Sequence, residues 1–378
     1  MTDNDPSAER TTSAANFIEW NFSLKAESSP WSVEQGMTQL LAHENAEGFA
    51  RPLADAVQAD AQVIHELGTR RTPTALAALR AFQAMSTIDT QRELAQANAD
   101  LLAKEGQPEP PWSSTIGRVR VDGCWWAHDQ FDETALVLCA FSYDGDDEHA
   151  ILALIDRTLG GGLIREITLN EDVDMLRDFL ADAHEDGEDF VNEPLDPAYA
   201  RRLIEDAIAT SDELLDDRQY RLRAMPKAYR KMRALTLTRT RALSDVAAPP
   251  EPFPTTVEIG LLKRNFLASD AASGLPANDA TGQAVDLLVT SFVEEAGCHP
   301  LHLGPRRIEA VLGLPTLSPD HIENPDVGQI LADVADAWIA WTAAERGLDS
   351  DATARLEEAA DEARARPRFA ETEGHETS

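Results

Sequence analysis

The chain has 378 residues, 43% hydrophobic and 26% charged, with 33 Lys and Arg against 67 Asp and Glu and a formal net charge of −34. That length supports two or three ordinary domains whose cores need no disulfide or metal staple, and the composition is neither disordered nor fibrous. The acidic balance works against long-range attraction to phosphate backbones, and Cys124, Cys139 and Cys298 lie too far apart for a CxxC metal module or a disulfide framework.

The first residues, MTDNDPSAERTTSAANF, have neither a basic n-region nor an apolar h-region, so residues 1–15 are expected to be a disordered tail rather than a secretion signal. Residues 16–110 carry apolar positions at helical spacing: Leu40, Leu41, Phe49, Leu53, Val57, Ile64 and Leu67, then Leu76, Leu79, Phe82 and Met85 after Thr72-Pro73. GQPEPP, residues 106–111, closes that helical segment.

Residues 111–170 change period. IGRVRV from Ile116 alternates, ALVLCAF (Ala135 to Phe141) and AILALI (Ala150 to Ile155) are apolar on both faces, and LIREITL (Leu163 to Leu169) alternates in part. Asp144-Gly145 is a hairpin signal, and the Gly160–Gly162 run supplies unusual backbone angles. The expectation is a four-stranded antiparallel β-meander whose central strands are covered on both sides by flanking helices. Trp125 and Trp126 stand on opposite faces of the first strand, one for the core and one for partial exposure.

A helical segment resumes over 171–247 and packs with the meander. APPEPFP, residues 248–254, reads as a stiff linker. A C-terminal helical domain follows over 255–347, with helices near 257–267, 283–296, 306–312 and 327–346. Residues 348–378 form a charged helix near 353–364 and a disordered tail. The fold class is α+β, mainly α. Apolar runs fall well short of the roughly 20 residues that cross a bilayer, so no membrane association and a cytoplasmic location are expected.

Three groups of side chains could carry chemistry. From Arg218 to Arg241 there are nine Lys and Arg and no Asp or Glu. Arg223, Lys227, Arg230, Lys231 and Arg233 could grip phosphate or a partner. However, Met225, Tyr229, Met232 and Leu235 form an apolar stripe there, and residues 170–196 with SDELLDD (211–217) are acidic neighbours, so an internal acid–base seam is the favoured alternative. His128, Asp129 and His149 crowd the meander turns with other carboxylates, and Cys298, His299 and His302 form a short cluster. Both sets hold metal-ligand chemistry, but neither has the spacing of a known site. No cofactor is expected. Trp125 and Trp126 are candidates for a partner surface.

The meander, WWAHDQFDETALVLCAFSYDGDDEHAILALIDRTLGGGLIREI, together with LGPRRIEAVL and DVADAWIAWTAAERGL, resembles a group of uncharacterised proteins of high-GC actinobacteria. Five of the 33 cations are Lys, which fits such a source. The resemblance implies a cytoplasmic bacterial protein and brings no activity or site residues with it. The functional expectation is a non-enzymatic protein-interaction or scaffold protein, with a protein partner or self-association. The alternatives are a nucleic-acid-binding protein using 218–241 and, behind it, a metal-dependent enzyme.

Overall fold

The structure is a computed structural model that describes residues 14–19, 21–22, 29–42, 53–144, 146–185, 188–216, 227–248, 253–318 and 321–365. Most of the tail expected over 1–15, the end of the chain from 366, and Arg223 lie outside the described residues, although 14–19 are helical and Ala15 is fully buried. The chain divides into two compact units. Residues 1–127, 135–155 and 163–249 form the first, and 128–134, 156–162 and 250–378 the second.

In the first unit, Ser29 and Thr72 each precede a proline and accept amide hydrogens from Ser32 (3.2 Å) and Ala75 (3.1 Å). Such caps satisfy amides that a helix start leaves orphaned. They open α1 (Pro30–Leu40) and α3 (Pro73–Met85), which gather with α2 (Leu53–Thr69) and α4 (Asp89–Lys104). Met37, Ile64, Leu67, Leu76, Leu79, Phe82, Met85 and Leu102 fill the core of this group. Each such fully buried side chain contributes roughly 1.5–3 kcal/mol before ordering costs.

Strands β1 (Arg120–His128), β2 (Thr134–Tyr143), β3 (Asp146–Asp156) and β4 (Leu163–Asn170) form the antiparallel meander, joined by a fifth strand. A separate two-residue pair, β5 (His184–Glu185) and β6 (Glu188–Asp189), precedes that strand, β7 (Val191–Pro194). The sheet order is β4-β3-β2-β1-β7. Every residue of β2 is buried. Val137, Cys139 and Phe141 face α6 (Pro197–Asp216) and α7 (Lys227–Thr240), whereas Leu136, Leu138 and Ala140 face α5 (Val173–Ala181). This two-sided burial is why the strand reads as a continuous apolar run.

Two details depart from expectation. The first strand begins at Arg120 rather than Ile116, because Ile116 is buried in the helical core and Gly117 turns the chain with φ +74° while giving its amide to Glu34 (2.7 Å). The added strand β7 has four exposed residues and ends in proline, so no apolar alternation announces it. Proline is tolerated there because an edge strand leaves half its backbone unpaired.

In the second unit, Thr255 and Glu258 close a capping box at the start of α8 (Thr256–Leu267). Helix α9 (Asp279–Thr290) continues through a π turn, Ser291–Glu295, and is followed by α10 (Pro305–Leu312), α11 (Pro325–Arg346) and α12 (Ser350–Ala365). Gly347, at φ +64°, ends α11 in the left-handed conformation. Trp338 is fully buried, its ring centroid 4.9 Å from Phe266 and 5.0 Å from Trp341.

The 156–162 loop of the meander, part of this unit, comes close to the backbone at Gly297. A Cβ on Gly160 would stand 2.3 Å from the Gly297 carbonyl oxygen, so the glycine run serves a close chain crossing. Among the described residues no helix is long and apolar enough to cross a membrane.

Candidate functional site

The basic stretch is largely committed to its own protein where it is described. Arg233 Nε lies 2.8 and 2.9 Å from the two Asp212 carboxylate oxygens and its Nη2 lies 2.5 Å from one of them, a bidentate pair. Tyr229, fully buried, also donates to Asp212 (2.7 Å). Arg239 lies in the interior, and Arg241 donates to the carbonyls of Leu237 (3.1 Å) and Ser86 (2.9 Å). Arg230 and Lys231 are half-buried, and the Lys227 side chain lies outside the described residues. The seam therefore runs to Asp212 and, as shown next, to Glu34. For Arg233 and Arg239 it does not run to the acidic residues of 170–196.

Arg239 is 1% exposed and Glu34 is fully buried. Its Nη2 donates to Glu34 and to the Tyr143 hydroxyl, while its Nε donates to His149 Nε2 at 2.8 Å. Glu34 also holds the Gly117 amide. The Trp31 ring stacks on His149 at 4.0 Å, and the guanidinium lies 5.6 to 6.0 Å from the rings of Trp31, Tyr143 and Phe141. His149 Nδ1 lies 2.8 Å from the Asp147 carbonyl, so the tautomer that satisfies both contacts carries hydrogen on Nδ1 and accepts on Nε2.

Burial, followed by the neighbouring Arg239 charge, lowers the His149 pKa from 6.5 to about 4. In the unfolded chain the imidazole takes a proton as pH falls through 6.5, while the folded protein resists until about 4. Stability is therefore full above pH 6.5 and declines across that window. The total for this group is about 3 kcal/mol, with a slope of at most about 1.4 kcal/mol per pH unit. Chemical denaturation of the wild type and of His149→Gln, which keeps an acceptor, is expected to show this component only in the wild type. Equal slopes would assign the pH dependence to other groups.

The metal candidates are occupied by local structure. The Asp129 carboxylate accepts the amides of Phe131 (2.7 Å), Glu133 (3.0 Å) and Thr134, folding the turn around itself. His128 Nδ1 lies 3.2 Å from the Asp132 carboxylate. Cys298 Sγ is 3.2 Å from the Ala296 carbonyl and 3.4 Å from that of Thr158, and burial pushes the thiol up. The His299 and His302 rings lie 4.8 Å apart, and the Pro300 carbonyl between them accepts from the Trp338 indole (3.0 Å). Among the described residues no three of His, Cys, Asp and Glu come together as a metal-holding group.

Trp125 and Trp126 divide as the strand period requires. Trp126 is buried, donates from Nε1 to Glu193 (3.1 Å) and meets Tyr199 edge-on at 5.8 Å. Trp125 turns to the α5 side, with the Arg177 guanidinium 4.6 Å from its centroid. It lines an open cleft of about 500 Å³ with Asp174, Arg177, Asp178, Leu180, Ala181 and Asn192.

Helix α5 is apolar on more than the face it buries. Leu176 and Leu180 are buried, whereas Met175 and Phe179, also one turn apart, are 43% and 54% exposed. Beside the helix, β7 ends the sheet. The Leu195 amide donates to the Cys124 carbonyl at 2.9 Å. Strand alternation then turns the backbone groups of Glu193 and Val191 toward β1 and those of Asn192 and Pro194 outward.

Sequence reasoning named Trp125 here and passed over Asp174, Met175, Asp178, Phe179, Val191 and Asn192. The available signal was MLRDFL itself, whose apolar residues at 175 and 179 lie about 100° around the helix from those at 176 and 180.

The architecture is thus of the α+β class, mainly α, an antiparallel sheet set among helices with β4 and β7 as its edge strands. No protein-family profile, curated protein or solved structure matches the chain.

Proposed function

We propose that the protein is a non-enzymatic protein-interaction module whose docking face is the corner formed by α5 and the edge strand β7. The observation that carries this reading is the Trp125 cleft, walled by Asp174, Arg177 and Asp178 of α5 and by Asn192 of β7, which pairs with no further strand among the described residues, with Met175 and Phe179 exposed on the same helix. Single exposed apolar residues are ordinary. An exposed apolar pair on a helix and the outer side of a sheet's last strand are each association hazards unless something covers them. The commitment of Arg233 and Arg239 to internal carboxylates takes two of the cations on which the nucleic-acid alternative relies.

The experiment is site-specific photo-crosslinking in the native host, with p-benzoylphenylalanine in place of Phe179 and, as control, of Leu94, which is 37% exposed on α4. Discrete adducts from position 179 that are absent from position 94 are the expected outcome. No adduct at 179, or the same adducts at both positions, would remove the basis of this reading.

A further inference from the structure

Resting on that reading of the corner, we infer that the partner is an extended segment of another protein, in which basic side chains alternate with apolar ones, added as a sixth strand along β7. Backbone geometry gives the mode. Asn192 turns its amide and carbonyl away from β1, and Pro194 turns its carbonyl the same way, so a second strand finds a ready hydrogen-bonding edge about 13 Å long.

Side-chain period gives the pattern. Residues of the incoming strand on one face meet the cleft wall of Asp174 and Asp178, and those on the other meet Val191, which is 50% exposed. Charge gives the chemistry. Arg177 is drawn over the Trp125 ring, and neither Asp174 nor Asp178 pairs with a cation among the described residues. Residues 170–196 hold eleven Asp and Glu against that one Arg.

Arg233 and Arg239 of the basic stretch pair with Asp212 and Glu34 instead. A lysine or arginine in the cleft would meet carboxylates at its tip and lay its stem along apolar surface. A second copy of this chain, itself at −34, is disfavoured by the same field.

The test is selection of phage-displayed random dodecapeptides on the full chain. Selected peptides are then titrated against wild type, the Asp174→Lys/Asp178→Lys pair, Asn192→Pro and Phe179→Ser. Peptides alternating Lys or Arg with apolar residues, losing about tenfold or more in affinity for both the charge-reversed pair and Asn192→Pro, are the expected result.

Because Asn192→Pro could disturb β7 itself, peptides N-methylated at alternate residues provide an independent arm. Methylation of the register facing β7 is expected to abolish binding and methylation of the other register to leave it. Peptides without basic residues, or indifferent to both Asn192→Pro and N-methylation but lost on Phe179→Ser, overturn this inference and leave the docking face standing. Failure to select any peptide sensitive to these positions overturns both.

Discussion

Glu34→Ala is expected to destabilise the first unit by about 3–5 kcal/mol, because it leaves the Arg239 charge buried without its counterion. Arg239 is 1% exposed, so water cannot replace the lost carboxylate. The Gly117 amide loses its acceptor at the same time. His149 and Tyr143 remain as neutral acceptors and cannot balance a full charge.

A double replacement, Glu34→Met with Arg239→Met, removes both charges together and is expected to lie closer to wild type than Glu34→Ala alone. Urea unfolding, followed on the transition of the first unit, measures both. A single-mutant loss below about 1 kcal/mol would place Glu34 among ordinary surface carboxylates and contradict the buried pair.

Arg307 is the corresponding residue of the second unit. It is 5% exposed and spreads its guanidinium over the carbonyls of Thr158 (3.1 Å), His302 (2.5 Å), Arg157 (2.8 Å) and Asp132 (3.4 Å). Helix α10 adds a second tie, since the Arg306 and Arg307 amides donate to the buried Glu133 carboxylate at 3.1 and 2.6 Å. Glu133 fits because position 304 is glycine, where a Cβ would lie 2.3 Å from the carboxyl carbon.

Burial raises the Glu133 pKa, and the Arg307 charge opposes that rise. Arg307→Ala therefore strips several carbonyls of their donor and Glu133 of a cation, with an expected loss of about 3 kcal/mol or more. Arg307→Lys keeps the charge but cannot reproduce the planar fork, and is expected to recover no more than about half of that loss. Full recovery by lysine in thermal or urea unfolding would show that charge alone, and not the fan of hydrogen bonds, holds the loops.

How far the chain could be read in advance follows from what each element buries. Strands β2 and β3 announce themselves because both their faces are covered, which forces apolar runs. Helices of the second unit were expected near 257–267 and 327–346, and the structure sets their ends with Thr255, Asn324 and Gly347, whose capping contacts are local. Strand β7 does not, since VNEP buries nothing and owes its pairing to β1, a partner distant in sequence.

The same locality governs the sites. Asp212 beside the basic stretch was legible as a salt-bridge neighbour, but Glu34 lies 205 residues from Arg239 and nothing near either announces the other. His149 is a metal candidate in sequence because imidazoles bind metals. In the fold it is an aromatic plate between Trp31 and Phe141 and an acceptor for Arg239. The α5 surface was masked by its own charge, since four acidic residues, Asp172, Asp174, Asp178 and Asp182, frame Met175 and Phe179 and make the segment look like an ordinary solvated helix.

The central claim is that partners engage the α5–β7 corner. Hydrogen–deuterium exchange of the full chain, alone and saturated with a selected peptide, tests it most directly. Slowed exchange at 191–194 and across 173–181, with 227–241 unchanged, is the expected result. Protection confined to 227–241, or none at the β7 edge, would contradict it and return the basic helix to consideration as the binding surface.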